Sequence, residues 1–309
     1  MSHATLSTPR LASPAAATAA IAIASVCFGL VPLFARELQA AGMADASIAF
    51  YRYALSTAIM LPFLPRTRAK RKPAAIMVGT GMLMSLGWLG YLDALRTLPV
   101  ASAGVIYMSY PLFALLLGWL LAGAWVGWRG WLSGAMILGG ALLLTEGGGL
   151  GGATPLAVLK ALAAPLTFGL GIVIISSFMN GLTAPERMVC ATLGSVLGMM
   201  PLVVAAPVAT FVPVGASAWL MVAGLGLATA LVPQLLYVSA VPLVGPGRAA
   251  AAGSVELPTM LAVGALAFGE ALGAREMAAA ALVLSAILIA PAVRPGEPGL
   301  TGRKRLFGL

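Results

Sequence analysis

The chain has 309 residues, 61% of them hydrophobic and only 9% charged, with a net charge of +9. Soluble domains carry roughly 25% charged residues, so a water-soluble globule is excluded and lipid has to be the solvent. The two cysteines, Cys27 and Cys190, sit in apolar runs and the sole histidine is His3, which leaves no disulfide framework, metal cluster or cofactor motif.

A spanning helix needs about 20 apolar residues. By that measure the sequence predicts helices over 13–36, 46–65, 74–96, 99–122 and 128–146, then 154–180, 185–207, 216–241, 247–270 and 274–293. Turn chemistry marks the breaks: Pro65, Pro73, Pro99, the glycines after Glu146, Pro185, Pro213 and Gly245-Pro246-Gly247. A β-barrel would instead alternate polar and apolar residues over shorter segments. The first apolar run is too long for the h-region of a cleaved signal peptide, about 7–15 residues. The expected organisation is a tail (1–12), a five-helix unit (13–146), a glycine-rich linker (147–153), a second five-helix unit (154–293) and a basic tail (294–309).

Lys and Arg set the orientation. Arg66, Arg68, Lys70, Arg71 and Lys72 follow the second helix, and Arg294, Arg303, Lys304 and Arg305 end the chain. With ten crossings these share one face with Arg10, Arg129, Arg187 and Arg248, making 13 of the 18 basic residues. Arg36, Arg96 and Arg275 fall at the other face. Both termini are therefore expected in the cytoplasm of a multi-pass inner-membrane protein. The positive excess orients helices and calls for no nucleic acid.

The halves echo each other. At an offset of 146 residues Tyr91 pairs with Tyr237, Gly118 with Gly264, Gly123 with Gly269 and Arg129 with Arg275, while Phe28-Gly29-Leu30 recurs as Phe168-Gly169-Leu170 at an offset of 140. Five is an odd number of crossings, so the second copy enters from the opposite face and the repeats are inverted. Inverted repeats are typical of transporters that bind substrate at mid-membrane between the halves. A purely structural duplication is the alternative.

Several residues carry a family resemblance over about residues 15–292: Phe28-Gly29, Arg52 after an aromatic, Val100-Ala101-Ser102-Ala103 leading to Pro111 and Gly123, and Glu256-Leu257-Pro258 followed by Gly269-Glu270. Each half resembles an EamA domain of the drug/metabolite transporter superfamily. The resemblance implies an all-α membrane fold of ten transmembrane helices in two inverted five-helix repeats. It also implies a substrate class among amino acids, nucleotide sugars, sugar phosphates and drugs. Two departures stand out: Ala124 occupies the first-half position of the Gly-Glu carboxylate, and Pro258 sits one place later than in the family pattern.

Candidate substrate-binding residues lie at matching depths in the two halves. Met84, Trp88 and Tyr91 share a helix face, and the equivalents of Trp88 and Tyr91 are Gln234 and Tyr237. Tyr107 and Tyr110 follow on the fourth helix, and Tyr110 is equivalent to Glu256. Aromatics also form interface belts, which suits Tyr51, Trp125, Trp128 and Trp219 near span ends but not Trp88 or Tyr110. A carboxylate inside a span is costly and normally faces a cavity or partner, so Glu256 is expected to bind an ammonium, relay a proton or hold packing as the neutral acid. Glu270 and Arg275 are expected at an interface contact near the last external turn. Arg52, Lys160 and Asp93 are expected to snorkel toward span ends, with pairing to a carboxylate that the sequence does not name as the alternative for Arg52. Pro111 and Pro258 mark bends that serve as hinges or are simply tolerated.

Low cationic density in the cavity disfavours phosphorylated substrates. The expected activity is non-enzymatic: export of small amphipathic metabolites, chiefly amino acids, by alternating access. A proton-coupled multidrug pump is the first alternative and a lipid-modifying membrane enzyme the second. The expected partners are a small-molecule substrate and the bilayer. A monomer is expected, because duplication supplies what a half-size transporter gains by dimerising.

Overall fold

The computed structural model describes residues 13–123, 127–145, 154–179 and 181–289. The two tails, the linker 147–153, Ala124 and Trp125 lie outside these residues. Among the described residues all regular structure is helical. In chain order it runs α1 (Pro14–Gly29), α2 (Val31–Ala40), α3 (Asp45–Met60), α4 (Arg71–Ala94), α5 (Val100–Tyr107), α6 (Tyr110–Ala122) and α7 (Trp128–Thr145). Then follow α8 (Pro155–Phe178), α9 (Ala184–Ala205), the single turn α10 (Val208–Phe211), α11 (Gly215–Gly226), α12 (Val232–Gly253), α13 (Glu256–Phe268) and α14 (Ala274–Ile289). A π-helical segment, Leu227–Leu231, joins α11 to α12.

Among the described residues six stretches are long and apolar enough to cross a membrane: Pro14–Ala40, Arg68–Ala94, Val100–Leu121, Pro155–Ile175, Ala184–Ala205 and Gly215–Tyr237. The chain is a multi-pass membrane protein. α3 has 16 residues and α13 has 13, shorter than the spans expected there. α3 stops early because Pro62 turns the chain into a 3₁₀ helix, Leu61–Phe63. α4 starts earlier than expected because Pro73 falls within its first turn, where a missing N–H costs nothing.

The expected bends at Pro111 and Pro258 take another form. Between α5 and α6 the helix breaks at Met108–Ser109, and Pro111 sits in the first turn of α6. α13 likewise starts at Glu256 and carries Pro258 in its first turn. The prolines therefore open new helices instead of kinking continuous ones. α6 and α13 also end alike, on left-handed glycines: Gly123 at φ 67° and Gly269 at φ 65°, a conformation open to glycine without steric penalty.

α12 runs through Gly245-Pro246-Gly247, where a break was expected. The packing on α1 nevertheless shows the chain reversing inside it. Tyr237 meets Phe28 near the end of α1, and Ala240 joins the buried cluster of Ala17, Ala20 and Ile21 nearer its start. Gly253 then lies at Ser25 and the Glu256 carbonyl at Gly29, heading back the other way. A straight helix would carry residue 253 about 20 Å beyond residue 240.

Lipid offers no hydrophobic drive for helix association, so small residues must let backbones touch. α4 does this on two sides. A Cβ on Gly81 would overlap the Ala191 carbonyl of α9, and one on Gly194 would overlap the Val78 carbonyl of α4. Toward α8, Gly87 and Gly90 would place a Cβ 2.6 Å from the carbonyl oxygens of Ala163 and Lys160 respectively. α7 and α14 pack likewise, with Ser133 Oγ donating to the Ala286 carbonyl at 2.9 Å.

Charges gather at the helix ends. At one end Arg36 pairs with Glu270 at 2.7 Å and donates to the carbonyls of Leu95 (3.3 Å) and Leu98 (2.6 Å). Glu270 also accepts from the Val100 and Ala101 amides at 2.8 and 3.3 Å, capping the start of α5. The expected contact of Glu270 is thus with Arg36 and α5. Asp45–Arg96 (2.7 Å) and Asp93–Lys160 (2.6 Å) lie at the same end, so Lys160 and Asp93 pair there instead of merely snorkelling. At the other end Lys70 pairs with Glu186 at 2.8 Å, and Glu186 accepts from the Thr183 amide.

Gly81→Ala and Gly194→Ala should each destabilise the purified protein by about 1–3 kcal/mol or prevent folding, since backbone cannot yield as a side chain can. Gly79→Ala, which meets open space, should leave thermal denaturation in detergent unchanged. Glu270→Ala should cost roughly 2–3 kcal/mol by stranding Arg36 and the α5 amides. Glu270→Gln should fall between that variant and the parent in the same melt.

Candidate functional site

Trp88 and Tyr91 project from α4 because its glycine faces are committed to α8 and α9. Both are buried, Tyr91 fully. Their rings lie 5.2 Å apart edge to face, and each meets Tyr107 at the end of α5, at 5.5 and 5.7 Å. Across the α5–α6 break Tyr110 lies 5.9 Å from Tyr107, and Phe168 of α8 meets both tyrosines, at 6.1 and 5.1 Å. Four predicted residues thus form one continuous aromatic cluster, and Phe168, read in the sequence only as a repeat marker, completes it.

Glu256 is buried at the first residue of α13. A helix N-terminus favours negative charge there. The carboxylate interacts electrostatically with Tyr91, Tyr107, Tyr110, Tyr237 and Arg52. Tyr237 stands half-buried against Phe28 at 6.4 Å, and Gln234 is half-buried one turn before it. Glu256 and Tyr237 are thus within electrostatic reach of each other and of Tyr110, while Gln234 lies one turn before Tyr237 on α12.

Arg52 departs from expectation. It does not snorkel: it is 7% exposed, with its guanidinium 4.1 Å over the Trp88 ring and 5.5 Å from that of Tyr53. Its Nη2 donates to the Thr229 carbonyl at 3.2 Å, within the π-helical segment before α12. Such segments widen a helix by one residue and recur at functional sites. The physical reason is rotational: α3 turns residue 52 toward α4 and α11, away from lipid, so its reach toward the span end is never used. The aromatic run Phe50-Tyr51-Arg52-Tyr53 was the signal available in the sequence.

Arg52, Tyr53, Trp88, Ile48 and Leu225 line a cavity of about 10 Å³, room for one water at most. The rings therefore close the centre in this conformation. Of the aromatics assigned to interface belts, Tyr51 instead stacks on Phe211 at 5.1 Å, with Trp219 at 5.8 Å. Trp128 is 70% exposed. Trp125 lies outside the described residues.

Residues 16–146 match the model of the EamA-like transporter family. No curated protein matches the chain. Among 21 matching solved chains, one, described as the crystal structure of a protein, superposes with a TM-score of 0.63 at 20% identity. That match covers 89% of this chain and 96% of the other. Likeness at that identity speaks to fold alone. The stretch 16–146, which carries Trp88, Tyr91, Tyr107 and Tyr110, is thus similar to the EamA-like transporter family.

Proposed function

We propose that this protein exports small amphipathic metabolites, chiefly amino acids, across the inner membrane by alternating access between two inverted five-helix repeats. The observation that carries this reading is Glu256, a buried carboxyl group within electrostatic reach of the clustered Tyr91, Tyr107 and Tyr110. An acid in an apolar pocket suits an ammonium group, and the rings suit an apolar or aromatic side chain.

Ten crossings, with both termini cytoplasmic, are supported by how the charges sort. Arg36, Asp45, Asp93, Arg96, Lys160 and Glu270 meet at one end, and Lys70 and Glu186 at the other. Arg36 and Arg96 thus share one face and Lys70 lies at the other, as the layout of ten crossings expects. The inverted duplication is supported by the matching half-helices α6 and α13, their glycine caps, and the pairing of α7 with α14. The breaks before α6 and α13 are the hinges of the cycle, because a chain interruption bends without breaking further hydrogen bonds. A monomer suffices, since one chain carries both halves, and no cofactor enters the scheme.

Purified protein in proteoliposomes should take up radiolabelled amino acids saturably. Trp88→Ala and Tyr237→Ala should each lower uptake several-fold while still inserting into membranes. Normal uptake by both would remove the site assignment. Glu256→Gln should abolish any stimulation by a pH gradient. Resistance to lipophilic cations in cells, with no amino-acid uptake in vesicles, would instead favour a multidrug pump.

A further inference from the structure

We infer that Arg52 is the carboxylate-binding group of the substrate site, holding the anionic end of an amino acid whose ammonium faces Glu256. The inference rests on the transport reading above and adds the residue that selects an acid.

The arginines of this chain divide by how well they are satisfied. Arg36 has Glu270 and two carbonyls as partners, and Arg96 has two hydrogen bonds to Asp45. These are structural pairs at the helix ends. Arg52 is more deeply buried than either, yet only Nη2 is bonded, while Nε and Nη1 have no partner. Arg187, half-buried near the start of α9, leaves only Nε so. A buried donor without an acceptor carries its full desolvation penalty, and a buried cation carries more. A group kept at such cost is poised for an acceptor that comes and goes.

The surroundings favour a carboxylate as that acceptor. Trp88 covers one face of the guanidinium, which leaves the in-plane N–H groups as the means of recognition. Ser56, one turn further along the same face of α3, is fully buried with its Oγ also unpartnered. Glu256 interacts with Arg52 electrostatically but forms no ion pair with it within 4.0 Å. A guanidinium and a carboxyl group held apart in an apolar interior offer a zwitterion one partner for each of its charges. The cavity at Arg52 is closed to anything larger than water, so the carboxylate enters as the rings part.

The test is ligand-induced thermal stabilisation of the purified full chain in detergent, with five probes: L-tryptophan, L-tryptophanamide, indole-3-acetate, tryptamine and tetraphenylphosphonium. The parent should bind the acids at least about tenfold more tightly than the amide or amine, as loss of a charged hydrogen bond implies. Arg52→Gln should erase that ratio while still binding the amide. Arg52→Lys, which keeps the charge but not the planar fork, should reduce the ratio and serves if the glutamine variant does not fold. An unchanged acid-to-amide ratio in the variant would overturn the role of Arg52 and leave amino-acid transport standing. Binding of indole-3-acetate but not tryptophan, lost on substitution, would uphold Arg52 and overturn the amino-acid reading. No binding of either acid by the parent would overturn the inference.

Discussion

Backbone contact between α4 and its neighbours fixes the rest of the molecule. Without water to drive helices together, close approach is the main source of cohesion. Gly81 meets the backbone of α9, whereas Gly87 and Gly90 meet that of α8. With two faces of α4 so committed, Trp88 and Tyr91 can point only toward the interior. From there they collect Tyr107, Tyr110 and Phe168, and Trp88 covers Arg52. The aromatic centre is therefore a consequence of where the glycines are.

Charge is partitioned with equal economy. Acids and bases near the helix ends pair with each other, and Glu270 doubles as cap for α5 and counter-ion for Arg36. Among the described residues one basic and one acidic side chain are buried inside, Arg52 and Glu256, and they form no ion pair with each other. In a medium of low dielectric their fields reach across the whole cluster. A buried pair that was only structural would gain by closing the gap. Under the proposed function, the open gap leaves Arg52 Nε and Nη1 for a ligand.

The helix breaks give this arrangement a way to move. Met108–Ser109 and the turn before Glu256 interrupt their helices beside the aromatic cluster, and Pro111 and Pro258 lie in the turns that restart them. Tyr107 and Tyr110 flank one break and Glu256 follows the other. A change in angle at either break would part rings that are now in contact, and so couple the shape of the helix to access at Arg52.

The sequence by itself determined the solvent, the helical class, the breaks near Pro65, Pro99, Pro185 and Pro213, and the placement of Trp88, Tyr91, Tyr107, Tyr110 and Glu256 on helices. Each of these follows from local composition: apolar runs as long as a bilayer is thick, punctuated by Pro and Gly. Glu270 was legible as important, but its partner was not, because Arg36 is 234 residues away in sequence. Arg52 was misread, since distance to a span end says how far a side chain can reach but not which way it faces. The proline bends were misread as kinks because a proline's effect depends on whether a helix starts just before it. Rotation about a helix axis, pairing across distant segments and the satisfaction of individual donors depend on what packs alongside. Only the tertiary structure decided those.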